Sequence, residues 1–141
     1  MNTTQLDGFN VRVYAVCVHE NKLLTVNEMF NNQWITKLPG GGLEFGEGPL
    51  ACLKRELLEE LNLEIETAEP FYIQEEYFES FVNNNKQIVI LYFKVTLKNL
   101  ETLKIQESNI NNVNWIEISE PCKLSLPIDK QMFSYLINLL K

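Results

Sequence analysis

The chain has 141 residues, 45% of them apolar and 22% charged, enough to build the core of one ordinary domain over residues 1–141. Its net charge of −7 argues against general nucleic-acid binding, which draws affinity from basic patches on phosphates. No stretch approaches the roughly 18 consecutive apolar residues of a membrane span, so no membrane partner is expected.

Residues 1–8 are polar and lack the apolar stretch of a secretion signal, which makes the cytoplasm the expected compartment. Residues 11–18 and 23–26 read as a hairpin around Glu20-Asn21-Lys22, and residues 34–38 as a short strand running into Gly40-Gly41-Gly42. His19, the sole histidine, falls in the hairpin turn, where a surface role is expected and histidine-based chemistry is not. Gly48-Pro49 opens a helix over residues 49–61, with proline at its favoured first position. Asn62 follows, the next-best residue to glycine for the left-handed conformation that ends a helix. Residues 71–81 and 87–97 read as strands flanking a turn at Asn83-Asn84-Asn85, and the apolar run 88–93 predicts a strand buried on both faces. Most of Tyr72, Tyr77, Phe78, Phe81, Tyr92 and Phe93 are expected in the core. Residues 114–118 form a further short strand. Pro127 opens a last helix with an apolar stripe of Met132, Phe133, Leu136, Ile137 and Leu140. Cys17, Cys52 and Cys122 are odd in number and scattered, which favours reduced, mostly buried thiols. The element pattern by itself gives an α+β fold.

Chemistry concentrates between residues 40 and 63. On a helix turning about 100° per residue, Glu56, Glu59 and Glu60 share an arc of about 100°, and Leu50, Leu53, Leu57 and Leu61 share the neighbouring arc of about 80°. One side packs and the next gathers negative charge. Glu56 and Glu60 repel at i,i+4 spacing by roughly 0.2–0.5 kcal/mol, and Arg55 only partly offsets this. A cation removes the conflict. Carboxylates without a neighbouring His or Cys ligand select a hard ion, Mg²⁺ or Mn²⁺, which takes oxygen ligands. Acidic pairs on a helix are usually a solvated face. Here the preceding glycines, which permit close approach of backbone to ligand, mark turn and helix as one unit.

Residues 41–63 resemble the signature of the Nudix hydrolases, G-x(5)-E-x(7)-R-E-U-x-E-E-x-G-U with U a bulky aliphatic residue. Gly41, Glu47, Arg55, Glu56, Leu57, Glu59, Glu60 and Leu63 fit it, and Asn62 stands where the family has glycine. The resemblance implies an α/β/α sandwich with a mixed sheet between helices. It also implies metal-dependent hydrolysis of a nucleoside diphosphate linked to another moiety. Glu56, Glu59, Glu60 and the carbonyl of Gly40 would hold Mg²⁺ or Mn²⁺; Gly40, Gly41 and Gly42 would border the substrate; Arg55 and Glu47 would orient the carboxylates. Glu56 is the general base expected within the signature, with Glu107 and Glu76 as weaker candidates outside it. The downstream proline and tyrosine that mark ADP-ribose and dinucleoside polyphosphate enzymes are replaced by Phe78 and Ser80. By elimination this leaves a nucleoside triphosphate or related nucleotide pyrophosphate as expected substrate. ADP-ribose, nucleotide sugars, dinucleoside polyphosphates and a non-catalytic nucleotide-binding module stay as alternatives, and a homodimer stays open.

Overall fold

A computed structural model describes residues 5–80 and 85–141. The expected strand residue Phe81 and the turn residues Asn83 and Asn84 lie outside that range.

The first strand, β1 (Gly8–Val16), ends at Cys17, and the chain passes into a second sheet through β2 (Val18–His19) and β3 (Lys22–Phe30). The expected hairpin is therefore narrower than residues 11–26. It joins β2 to β3 through Glu20 and Asn21, both at positive φ, while β1 pairs elsewhere. A second hairpin turns at Asn31 and Asn32, also at positive φ, and leads into β4 (Gln33–Lys37). Gly40–Gly42 then forms a short strand, β5, laid antiparallel against β1. The glycine-rich stretch was expected as a turn, but three successive pairings with β1 hold it extended, and the turn follows it.

Helix α1 spans Pro49–Leu61 with Asn62 left-handed at its end, as the spacing predicts. The next strand begins earlier than expected: β6 is Ile65–Ile73 and β7 only Phe78–Glu79. The long strand β8 (Lys86–Leu97) pairs with both, and β9 (Ile110–Glu117) closes the second sheet against β3. Helix α2 spans Pro127–Leu139.

The sheet carrying the site is mixed, in the order β5-β1-β8-β6 with β7 also on β8, and β1 runs parallel to β8. Strand alternation sends Val13 and Ala15 of β1 toward α1 and Tyr14 and Val16 toward α2. On β8, Ile88, Ile90 and Tyr92 join the α2 core, while Leu91, Phe93 and Val95 join the α1 core. Both faces are covered as predicted, the α2 face more completely. Helix, mixed sheet and helix thus form the expected α/β/α arrangement, with the antiparallel β2, β3, β4, β9 sheet beside it.

Two expected core leucines differ. Leu50 is exposed because Cys52 takes the buried place in the first turn of α1. Leu140 lies beyond the end of α2 and is exposed as well, while Met132, Phe133 and Leu136 carry the packing. Cys17 and Cys52 are buried free thiols and Cys122 is exposed. Among the described residues no helix is long and apolar enough to cross a membrane.

Candidate metal and phosphate site

The site is built where β5 meets the open side of α1. Gly40 has φ +140, and a β-carbon there would lie 2.0 Å from the Val13 carbonyl oxygen. At Gly41 a β-carbon would lie 2.4 Å from the carboxyl carbon of Glu56. Glycine is required at the first by backbone, and at the second a side chain would displace the Glu56 carboxylate.

Arg55 organises the solvent side. Its Nε donates to Glu47 Oε2 at 3.0 Å and its Nη2 to Glu47 Oε1 at 2.7 Å, a two-pronged pair. Nη1 donates to Glu56 Oε1 at 3.0 Å and to Glu59 Oε2 at 3.3 Å, and Nη2 also reaches the Gly42 carbonyl at 3.3 Å. These hydrogen bonds hold the Glu47 carboxyl down at about 2. Glu47 also accepts from the Glu44 backbone N–H at 3.0 Å, which closes the turn between β5 and α1.

Glu60 faces the other way. It is buried, and its Oε1 accepts from the Gly40 backbone N–H at 3.1 Å. Burial raises its carboxyl to about 7, with Glu56 and Glu28 adding to the rise and Lys37 opposing it. Glu56 is also held above its ordinary value by burial, against Arg55.

Of the acids expected outside the signature, Glu107 lies in a segment docked on the end of α1: the N–H of Gln106 donates to the Glu60 carbonyl at 2.8 Å and that of Lys104 to Leu61 at 2.9 Å. Glu76 is exposed beyond β6, where its carbonyl accepts from Gln74, and no described contact ties it to the glutamates of α1. His19 is exposed, beside Glu20 and the Trp115 ring.

The spacing of the sequence does not reveal a second set of charges on the α2 side. Lys37 is buried, its Nζ 3.9 Å from Glu28 Oε1 and 4.7 Å from the centre of the Tyr14 ring, with no hydrogen-bond partner. Burial opposes its charge, and Tyr14, Glu28 and Glu60 outweigh burial, so its pKa lies above the ordinary value. Arg12 Nε donates to the Tyr14 hydroxyl at 2.8 Å. Asp129, buried in the first turn of α2, accepts from the Tyr92 hydroxyl at 2.5 Å through Oδ1, while its Oδ2 has no hydrogen-bond partner. Only β3, β4 and α2 packing around Tyr14 brings these groups together, and no short motif encodes that.

Glycine strand, acidic helix and arginine brace thus lie against one another at the mouth of the sheet. The sequence matches the NUDIX domain family over residues 8–137. The chain belongs to the Nudix hydrolase family. No curated protein matches it closely. Among solved structures, the fold is similar to a MutT Nudix hydrolase from Burkholderia pseudomallei, with TM-score 0.77, 15% identity, and coverage of 91% of this chain and 98% of that one. It is similar also to the E. coli ORF135 protein, with TM-score 0.77, 21% identity and coverage of 94% and 91%. The Nudix domain of Shewanella oneidensis NrtR, determined with ADP ribose, gives TM-score 0.72 at 17% identity over 100% of this chain and 94% of that one. As a Nudix hydrolase the protein is a pyrophosphohydrolase, and Nudix hydrolases generally use divalent metal ions.

The donor set fits such an ion in chemistry: three carboxylates, one of them buried with a raised pKa that a cation would reverse, beside backbone carbonyls. Among the described residues no three acidic, His or Cys side chains converge on one point, and Arg55 pairs with both Glu56 and Glu59.

Proposed function

We propose that the chain hydrolyses nucleoside triphosphates or closely related nucleotide pyrophosphates, in the cytoplasm, with Mg²⁺ or Mn²⁺ held by Glu56, Glu59, Glu60 and the carbonyl of Gly40. The observation that carries this reading is the Glu56 carboxylate laid against the bare backbone of Gly41 and braced by Arg55 from the solvent side. Strand and acidic helix are fitted to each other at contact distance, which a merely solvated acidic face does not need.

A bound divalent ion would supply charge neutralisation and Lewis acidity to the diphosphate oxygens. The chain supplies the rest. Gly40, Gly41 and Gly42 border the phosphates with bare backbone. Glu56, the half-buried acid beside Gly41, accepts the proton of the attacking water. Arg55, fixed by Glu47, sets the direction of Glu56 and Glu59. Glu107, on the segment docked at the end of α1, is the second acid for the proton, and Glu107→Gln against Glu56→Gln separates the two. Attack falls on a phosphorus inside the diphosphate, so a nucleoside triphosphate yields nucleoside monophosphate and pyrophosphate.

The test is a panel of nucleoside triphosphates, nucleotide sugars, ADP-ribose and dinucleoside polyphosphates with Mg²⁺, with products resolved and ¹⁸O from water located. Monophosphate plus pyrophosphate is the expected outcome. Tight nucleotide binding without hydrolysis of any member would make the chain a non-catalytic module.

A further inference from the structure

Gly42 is the one glycine of β5 that neither backbone nor crowding demands. A β-carbon built there meets a single neighbour within 4 Å, Nη1 of Arg12 at 3.8 Å, an ordinary contact. Adjacent residues of a strand face opposite sides. Gly41 therefore turns toward Glu56 and α1, while Gly42 turns toward Arg12, its register partner on β1. Because β5 is the edge of its sheet, carboxylates on one face and a guanidinium on the other flank the same open strand.

Arg12 is held there. Its Nε donates to the Tyr14 hydroxyl at 2.8 Å, and Tyr14 is itself fully buried. Lys37 lies over the same ring, 4.7 Å from its centre, with the guanidinium carbon of Arg12 at 5.5 Å. Two cations share one tyrosine. The Lys37 ammonium is wholly buried with all its donors unmade, a costly arrangement unless an acceptor belongs nearby. Glu28 and Glu56 balance part of the charge of Arg12.

We propose that Arg12 is a phosphate-contacting residue of this site, held in position by Tyr14 with Lys37 charging the ring from beneath, and that it takes the phosphate of a polyphosphate chain that the α1 carboxylates leave uncovered. The proposal rests on the reading of the site as one for nucleotide pyrophosphates. A guanidinium grips a phosphate through two parallel hydrogen bonds, which suits an extra terminal phosphate better than a neutral sugar. It follows that triphosphates are preferred to diphosphates carrying an uncharged group.

Calorimetry with inorganic tripolyphosphate and Mg²⁺, together with KM and kcat for a nucleoside triphosphate and for ADP-ribose, tests this on Arg12→Met, Arg12→Lys and Tyr14→Phe. Arg12→Met should weaken tripolyphosphate binding and raise KM for the triphosphate about tenfold or more, with kcat and the ADP-ribose KM little changed. Arg12→Lys should fall between, and Tyr14→Phe should lose part of the affinity while keeping the ring. If Arg12→Met does not fold, Arg12→Lys decides, since it keeps the charge and removes the two-pronged grip. Unchanged tripolyphosphate affinity with a lowered melting temperature would make Arg12 a structural counter-ion and overturn the proposal. Arg12-dependent tripolyphosphate binding by a protein that hydrolyses nothing would sustain it and overturn the hydrolase reading instead.

Discussion

Asp129 is a carboxyl sealed between Tyr92, Tyr14, Arg12 and Lys37, and burial holds it up at about 6, against the Tyr92 hydrogen bond and the Lys37 charge. A carboxyl raised on folding stabilises the protein fully below its unfolded value near 4, and that stability is lost as pH rises through the folded value. Asp129 should therefore cost about 3 kcal/mol between pH 4 and pH 7. Asp129→Asn keeps the acceptor for Tyr92 and removes the titration. Urea unfolding across that range should show the variant gaining on the wild type as pH rises, and parallel curves would mean that Asp129 does not titrate there. Glu59→Gln and Glu60→Gln should each remove most activity with the fold intact, because an amide keeps volume but loses the charge that holds an ion. Glu60→Gln should also raise the melting temperature in EDTA. A Mg²⁺-induced shift in melting temperature that survives both substitutions would remove these acids from the metal site. Arg55, Glu56 and Glu59 are legible in the sequence because helical spacing brings them together, and Glu47, in the turn before α1, is legible only through the signature it matches. Arg12, Glu28, Lys37 and Asp129 are not, since strand pairing and α2 docking assemble them from four elements.

Helix α1 ends where local stereochemistry says it must. Asn62 sits at φ 57 and ψ 36, its N–H bonded back to Leu58 at 3.1 Å and that of Leu63 to Leu57 at 3.3 Å. Its side chain also donates to the Thr102 carbonyl at 3.0 Å, and Thr102 Oγ1 returns a bond to the Asn62 carbonyl at 3.2 Å. Asn62→Gly should cost no more than about 1 kcal/mol, the worth of that lost tie. Asn62→Val should cost about 1–2 kcal/mol beyond it from left-handed strain. Equal chemical denaturation midpoints for the two variants would show an ordinary backbone there. Proline and asparagine make the ends of such a helix readable. The start of β6 is not, because Glu66, Thr67, Glu69 and Pro70 give it an exposed face, and the aromatic residues after it carry the stronger strand signal. The departure of β1 from its expected hairpin is equally invisible locally, since its true partners are β5 and a strand near residue 90.

That last pairing governs how the molecule comes into being. The parallel ladder from Gly8 with Lys86 to Val16 with Lys94 joins segments with about half of the chain between them. The entropy of closing so long a loop is lost before either helix finds its full sheet, so refolding in stopped flow should take milliseconds to seconds rather than microseconds. During synthesis the first strand leaves the ribosome with no neighbour on its β8 side, and its apolar residues wait exposed until residue 94 has followed. A folding helper that shields residues 8–16 of the nascent chain would act during the wait that this pairing imposes.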